Sequence, residues 1–300
     1  MQITEPSLGF AVLEAPPSPL LGGAIILYAE MLIIGRFENV EVELCANSPI
    51  SATESQSLAV FHAISRLSRV AKVKLLRNGE LCESFDRTTF EIERSEIFES
   101  QSTTLDSPAN LLNCEPDDVL NLVRFDVKTT ETAVKHLDRK KWNRVLCLHA
   151  NAVAHPSLEE QTMSKGSVDE WALGLREALD SESGVSLLII GEGADILAEK
   201  INRPDRLIPP VGDLAVELAC VQLADGFLGM SSGPAAIAIF SATPYTVFKH
   251  PEHHAADMKS LLTNGRYPFS LPSQRVVQTY PGRSEVFAAV LGFIAEWGDQ

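Results

Sequence analysis

Residues 226–248 read Gly226-Phe-Leu-Gly-Met-Ser-Ser-Gly-Pro-Ala-Ala-Ile-Ala-Ile-Phe-Ser-Ala-Thr-Pro-Tyr-Thr-Val-Phe248, and the rest of the chain is organised around this stretch. The apolar start predicts a buried strand, a polar turn follows, and Pro234 suits the first turn of a helix that leads to a second strand. A helix that begins in this way presents unpaired N–H groups to an anion such as phosphate. The alternative interpretation is an ordinary tight turn between a strand and a helix.

The same alternation extends through the second half of the chain. Strands are predicted at 144–148, 185–190, 206–208, 245–248 and 275–278, and helices at 167–179, 194–201, 214–224 and 284–297. Ser167 and Glu170 form a capping box that opens the first of these helices. Continuous apolar strands between helices indicate a parallel sheet covered on both faces.

The first half begins with a similar but less regular pattern. Strands are predicted at 8–13, 39–46 and 71–76, helices at 20–35 and 54–69, and a further strand and helix at 121–125 and 130–140. The sequence therefore predicts an α/β protein with two Rossmann-like domains facing a cleft. We expect the domains to be 1–141 and 142–283, followed by a C-terminal helix within 284–300 that packs back on the N-terminal domain.

Composition excludes several classes of protein. The 300 residues carry a net charge of -15, which disfavours binding to the nucleic acid backbone. The cysteines are five, scattered and without a Cys-x-x-Cys pair, which disfavours a disulfide framework or a zinc site. The apolar run 20–35 contains Glu30 and is shorter than a membrane-spanning helix, and no basic secretory signal precedes it. We expect a cytoplasmic protein, with peripheral contact to a membrane left open.

Ligands of open parallel sheets bind beyond the carboxyl ends of the strands. Glu192 in this region is suited to binding a ribose hydroxyl; the alternative is a solvated loop residue. The pattern Gly191-x-Gly193 is only a weak signal for a dinucleotide site, because it lacks the third glycine of that fingerprint. Lys165 and Lys249 are cations that can meet a phosphate, although an exposed lysine such as Lys165 is more often an ordinary surface residue. The candidate ligand-binding residues are His149, Asn151, Lys165, Gly191, Glu192, Ser231, Ser232, Gly233, Pro234 and Lys249.

Glu14 follows the first predicted strand and is expected to face the cleft from the other domain. A carboxylate in that position can deprotonate an acceptor hydroxyl. The alternative is a turn residue placed before Pro16 and Pro17.

Two further patterns suggest other chemistry. Residues 250–254 read His-Pro-Glu-His-His, which with Asp257 could hold a divalent ion, but the His-x-x-x-His spacing of a helical metal site is absent, so we expect no metal. Gly229-Met-Ser231-Ser-Gly233 has the form of the nucleophile elbow of α/β-hydrolases. Against a hydrolase, this turn comes late in a second Rossmann unit and Pro234 starts the helix early.

Residues 144–251 resemble the donor domain of GT-B glycosyltransferases, especially the heptosyltransferase-like glycosyltransferase family 9. The resemblance rests on Lys165 before a Trp-containing helix, the strand 187–191, the run Ala-Asp-Gly-Phe-Leu-Gly at 224–229 and the Ser-Gly-Pro turn. In that family the turn usually reads Asp-Ser/Thr-Gly-Pro-x-His. Here Ser231 replaces the acid and Ala236 replaces the histidine.

The resemblance implies a glycosyltransferase that takes a nucleotide-diphosphate sugar as donor and a carbohydrate or glycolipid hydroxyl as acceptor, without a metal or cofactor. The candidate ligand-binding residues would then hold the donor, and Glu14 would correspond to the family's general base. The alternatives are a GT-B-like binding or scaffold protein that has lost catalysis, and a sugar-nucleotide epimerase. The nucleotide, sugar, acceptor and oligomeric state stay open.

Overall fold

The computed structural model describes residues 9–15, 40–47, 62–68, 70–76, 115–120, 122–150, 167–182, 184–191, 193–252 and 255–298. The predicted helix at 20–35 and the beginning of the helix at 54–69 lie outside these residues. So do five residues that the sequence singles out as candidates for ligand or metal binding, namely Asn151, Lys165, Glu192, His253 and His254.

The described residues of the first half of the chain include a three-stranded parallel sheet. Its strands are β1 (Gly9–Ala15), β2 (Val40–Asn47) and β3 (Val70–Leu76), in the order β1-β2-β3. The three strands confirm the predicted start of the chain to within two residues at each end. β1 continues to Ala15, so Glu14 is the penultimate residue of the strand and pairs with Cys45 of β2.

A six-stranded parallel sheet forms the second half. Its strands are β4 (Arg144–His149), β5 (Val185–Ile189), β6 (Leu207–Ile208), β7 (Gly226–Met230), β8 (Tyr245–Lys249) and β9 (Gln274–Gln278). Their order is β6-β5-β4-β7-β8-β9, and all pairs are parallel. This is the order of a doubly wound Rossmann sheet, in which the direction of winding reverses between β4 and β7. Ligands of such sheets bind in the crevice at that reversal.

The described part of the chain contains eight helices, which are α1 (Pro116–Val119), α2 (Val127–His136), α3 (Val168–Ser181), α4 (Ala194–Ile201), α5 (Leu214–Leu223), α6 (Gly233–Ile239), α7 (Ala255–Leu261) and α8 (Arg283–Gly298). α3 is capped as predicted, because the Ser167 hydroxyl accepts the N–H of Glu170 at 3.4 Å. None of these helices is long and apolar enough to cross a membrane.

Alternate side chains of β4 enter two separate hydrophobic clusters on the two faces of the sheet. Val145 and Cys147 join a cluster that includes α2, α5 and α6, whereas Leu146 and Leu148 join one that includes α3 and α8. Burial on both faces explains why the strands read as continuous apolar runs rather than as alternating ones.

The packing of this last helix on the N-terminal domain stays a prediction. Within the described residues α8 contacts α3 and β7. A Cβ atom at Gly174 of α3 would lie 2.6 Å from the carbonyl oxygen of Arg283, and one at Gly226 of β7 would lie 2.8 Å from the ring of Phe293. The absence of side chains at these two glycines therefore lets α8 approach α3 and β7 closely.

The connection between the halves differs from its prediction. In place of the strand predicted at 121–125, residues 122–125 form a single antiparallel bridge, between Phe125 and Leu67. The helix predicted at 130–140 begins earlier, at Val127, because the Asp126 carboxylate accepts the N–H of Thr129 at 2.7 Å. α2 then packs with α5 in the first hydrophobic cluster.

Candidate functional site

The candidate site lies where β4 and β7 end, at the reversal of strand order. His149 is the last residue of β4 and pairs with Gly229 of β7, and the turn that contains Ser232 follows β7. The hydroxyl oxygen of Ser232 lies 2.7 Å from Nδ1 of His149. Side chains therefore join the ends of the two central strands directly at the expected position of a ligand crevice.

His149 is an electrically neutral group in this site. Its side chain is buried, and burial lowers its pKa from 6.5 to about 4. The Ser232 hydroxyl also lies 3.1 Å from the carbonyl oxygen of Met230. Both contacts are satisfied if Nδ1–H of His149 donates to Ser232 and the serine hydroxyl donates to Met230. We infer that Nε2 of His149 is then a hydrogen-bond acceptor.

Gly191 follows β5 and lies against the imidazole of His149. Its backbone has a φ of 83°, and a Cβ atom there would lie 2.6 Å from both Cδ2 and Nε2 of His149. The sequence predicts Gly191 as a ligand-binding residue. The structure adds a packing reason for glycine, because both the left-handed backbone and the close ring exclude a side chain.

Glu217 is a site residue that the sequence reasoning missed. It lies in the first turn of α5, and its Oε2 atom accepts the N–H of Gly191 at 3.4 Å, while the N–H of Gly212 also faces the carboxylate. Burial raises the pKa of Glu217, and the two N–H groups oppose this rise to a smaller extent. The available signal was a lone carboxylate in a helix that is otherwise almost entirely apolar.

A cavity of about 410 Å³ adjoins the same edge of the sheet. It lies between the 62–66 segment and the start of α5, and its lining residues are His62, Ala63, Arg66, Gly212, Asp213, Leu214 and Ala215. Gly212 lines this cavity and also faces Glu217. Contacts therefore run without interruption from the cavity through Glu217 and Gly191 to His149 and Ser232.

The turn after β7 differs in detail from a capped helix start. Ser232 is the N-cap residue of α6, but its side chain makes no capping hydrogen bond, because the hydroxyl is directed to His149 and Met230. Gly233 begins the helix, and Pro234 lies in its first turn as predicted. The N–H of Ser231 donates to the carbonyl of Phe248 at 2.8 Å, which attaches the turn to the end of β8.

Lys249 is the last residue of β8 and is almost fully buried, with 2% of its surface exposed. The same strand end leads to His250, whose Nδ1 accepts the N–H of Glu252 at 3.2 Å and whose ring packs edge-on against Tyr280. His253 and His254 lie outside the described residues, so the expectation that residues 250–257 hold no metal stays a prediction.

A hydrolase fits this geometry poorly. Ser231 is the serine of the Gly-x-Ser-x-Gly pattern, yet Ser232 is the serine that contacts His149. A catalytic histidine needs a carboxylate on its second nitrogen and a pKa near the working pH. Here Nε2 faces Gly191, and the pKa is lowered to about 4.

Two thiols near the site are also unsuited to nucleophilic work. Cys147 of β4 and Cys220 of α5 are free and buried. Burial raises the pKa of Cys220 to about 12 and raises that of Cys147 well above its usual value. Both side chains therefore stay protonated thiols at neutral pH, and thiols are poor nucleophiles.

The structure thus joins His149, Gly191 and Ser232 in direct contact, with Gly233 and Pro234 beginning the adjacent helix. Glu14 is near the carboxyl end of β1, as predicted. Asn151, Lys165 and Glu192 lie outside the described residues, and their proposed role in ligand binding stays a prediction.

The architecture is that of the GT-B glycosyltransferases, with two Rossmann-like domains facing a cleft. The protein is similar to the ADP-heptose LPS heptosyltransferase II of E. coli, with a TM-score of 0.57, 9% sequence identity, and coverage of 97% of this chain and 100% of that chain. It is also similar to a glycosyltransferase of family 9 from Veillonella parvula, with a TM-score of 0.56, 8% identity, and coverage of 96% and 97% respectively.

A third similar structure is the E. coli heptosyltransferase WaaC with ADP. Its TM-score is 0.50 at 11% identity, and the match covers 96% of this chain and 99% of that chain. No protein-family profile matches the sequence, and no curated protein matches it either. The three structural matches confirm the predicted GT-B fold and its likeness to structures of family 9.

Proposed function

We propose that the protein is a glycosyltransferase that transfers a sugar from a nucleotide-diphosphate sugar to an acceptor hydroxyl. The observation that carries this proposal is the contact between His149 and Ser232 at the strand reversal of a GT-B fold. This is the position in which doubly wound sheets bind nucleotides.

The charges along the crevice indicate the orientation in which the donor binds. Glu217 adds negative charge at the edge formed by Gly191 and Gly212, where it accepts the N–H of Gly191 and faces the N–H of Gly212. A diphosphate would be repelled there, whereas the N–H groups that begin α6 attract it. We therefore propose the diphosphate beside Ser231 to Pro234, with the nucleoside directed towards Gly212 and the adjoining cavity.

The proposed reaction breaks the bond between the anomeric carbon of the sugar and the donor diphosphate. The acceptor oxygen forms the new bond to that carbon, its proton passes to the Glu14 carboxylate, and the nucleoside diphosphate leaves with the bonding electrons. Stabilisation of the leaving charge is assigned to Lys165, Lys249 and the start of α6. In this proposal no metal and no cofactor take part.

The acceptor is proposed to bind to residues 14–23 and their neighbours in the first domain, as a carbohydrate or the sugar of a glycolipid. The names of two similar structures include ADP-heptose and ADP. Adenine nucleotides are accordingly the first donors to test.

The proposal is tested by calorimetry with ADP, UDP and GDP, followed by their sugar esters. One base should bind, its sugar ester should bind as well, and added acceptor sugars should release the nucleoside diphosphate. Ser232→Ala should weaken the binding about tenfold, because one hydrogen bond of the site is lost. Absence of binding by every nucleotide would overturn the proposal.

A scaffold protein is the second candidate, and one observation favours it. Ala236, which replaces the histidine of the family 9 pattern, is 4% exposed and belongs to the hydrophobic core of α6. The protein therefore has no imidazole at position 236, and packing in the core closes that position to a ligand. Failure of all nucleotides to bind would support the scaffold, whereas conversion of the donor sugar without any acceptor would support an epimerase.

A further inference from the structure

Glu217 is a half-buried carboxylate in a helix that has no structural need for it. The remainder of α5 is buried and apolar around this residue, with Ala215, Val216, Leu218, Ala219, Cys220 and Val221 all in the core. Its start is already capped by Asp213, whose Oδ1 accepts the N–H groups of Ala215 at 2.9 Å and Val216 at 3.4 Å. An apolar side chain at 217 would satisfy the core without the cost of burying a charge.

The partners of Glu217 indicate what its carboxylate does. Within the described part of the chain it meets backbone N–H groups rather than an arginine or a lysine. These N–H groups belong to Gly191, which follows β5, and to Gly212, which follows β6. Both glycines have left-handed backbones, with φ values of 83° and 75°. The carboxylate therefore connects two turns at glycines, which have no side chains with which to hold each other.

The two turns have different neighbours. Gly191 contacts the imidazole of His149, and Gly212 lines the cavity of about 410 Å³. A shift of either turn would change the distance between the cavity and the pair formed by His149 and Ser232. A nucleotide that spans this distance would bind only when both turns are held.

We propose that Glu217 is a positioning residue of the donor crevice, which sets the separation of the turns after β5 and β6, and the nucleotide part of this inference rests on the proposed function. The carboxylate accepts the N–H of Gly191, faces the N–H of Gly212, and thereby holds both turns to the first turn of α5. It acts on the nucleotide through Gly191 and Gly212 and takes no part in bond making or breaking.

The first measurement concerns the free protein and needs no nucleotide. Amide hydrogen exchange of Gly191 and Gly212 is compared in the wild type, Glu217→Leu and Glu217→Gln. We expect Glu217→Leu to fold and to exchange both amides about tenfold faster, because both lose the carboxylate that they face. Glu217→Gln keeps one carbonyl oxygen and should restore part of the protection.

The matched control is Gln222→Leu, on the same helix. Gln222 is also a partly buried polar residue, but its side-chain amide donates to the carbonyl of Val123, away from both turns. We expect Gln222→Leu to alter the unfolding midpoint and to leave the exchange of Gly191 and Gly212 as in the wild type.

The second measurement is calorimetry of the four proteins with ADP, UDP and GDP. The nucleotide that binds the wild type should bind Glu217→Leu about tenfold or more weakly, Glu217→Gln at an intermediate level, and Gln222→Leu as tightly as the wild type. Unchanged exchange in Glu217→Leu would overturn the positioning role, as would faster exchange with unchanged affinity. Absence of nucleotide binding by the wild type would overturn the proposed function alone, because the exchange rates still decide whether Glu217 holds the turns.

Discussion

Nδ1 of His149 lies 2.7 Å from the hydroxyl oxygen of Ser232, so a side-chain hydrogen bond connects β4 and β7 beyond the last residues of their backbone ladder. The Ser232 hydroxyl contacts His149 and the carbonyl oxygen of Met230, and it makes no capping hydrogen bond to α6. Ordered side chains thus form the floor of the crevice before any ligand arrives, which reduces the cost of ordering them on binding.

The buried imidazole of His149 makes folding stability depend on pH. Burial lowers its pKa from 6.5 in the unfolded chain to about 4 in the folded chain. Between these values the unfolded chain binds a proton that the folded chain does not. The free energy of unfolding should be fully retained above pH 6.5 and should fall as the pH drops towards 4, by on the order of 3 kcal/mol for this group.

His149→Asn supplies the comparison, because asparagine keeps a polar group near Ser232 but cannot take up a proton. Chemical unfolding of both proteins at pH of about 4.5, 5.5, 6.5 and 7.5 isolates the histidine, since the other titrating groups are common to the two chains. The wild type should lose more stability than the variant on acidification. Parallel profiles would mean that His149 does not titrate in this way.

Gly191→Ala should destabilise the protein for two separate reasons. Its φ of 83° costs a residue with a side chain about 1–2 kcal/mol, and the new methyl would lie 2.6 Å from the His149 ring. We expect a total loss of about 2–4 kcal/mol, measured by chemical unfolding at neutral pH.

Two other glycines separate these contributions. Gly212→Ala introduces only the backbone cost, since its φ is 75° and no atom lies within 4 Å of the new methyl. Gly184→Ala meets no atom within 4 Å and has no left-handed φ, so it should change stability by less than about 0.5 kcal/mol. Equal losses for Gly191→Ala and Gly212→Ala would show that the imidazole moves away without cost.

Much of the second sheet was predictable because one physical cause controls it. Strands buried on both faces must be apolar throughout, so β4, β5, β7 and β8 were recognised to within one residue. The turn from Ser231 to Pro234 was recognised for a local reason, since glycine and proline restrict the backbone in known ways. These signals predict the location of the crevice as well as the fold.

The remainder depended on contacts between residues distant in sequence. Glu217 meets the N–H of Gly191 across 26 positions of the chain, and no local pattern indicates such a partner. The bridge between Leu67 and Phe125 likewise replaces a predicted strand, because apolar periodicity alone does not distinguish a sheet strand from a short packed segment. Ser232 was recognised, but its contact with His149 required the strand order.

Asp225 is expected to be a major determinant of stability at the other end of the sheet. Its carboxylate accepts the N–H of Val145 at 2.7 Å and forms ion pairs with Arg139 at 2.5 Å and Arg144 at 3.9 Å. Asp225→Ala would leave the amide and both guanidinium groups without this acceptor, and should cost about 2–3 kcal/mol in chemical unfolding.

Asp169→Asn is the control for this prediction, because Asp169 pairs with Lys200 at 2.6 Å while 74% exposed. Such exposed pairs contribute little, so its effect should stay below about 1 kcal/mol. Asp225→Asn keeps one acceptor oxygen for Val145 and should fall between the two. Similar losses for Asp169→Asn and Asp225→Ala would contradict the special role of Asp225.

The last prediction concerns the proposed general base. Glu14→Gln removes a group that can take up a proton but keeps its size, so transfer should fall by about 100-fold to 10,000-fold. Nucleotide affinity should stay within about twofold, because the proposed donor site belongs to the other sheet. The control is Glu43→Gln, since Glu43 lies in the middle of β2, opposite Val12, rather than near a carboxyl end. Release of nucleoside diphosphate with acceptor, together with calorimetry, measures both quantities; full turnover by Glu14→Gln would remove the residue from the mechanism while leaving the donor crevice intact.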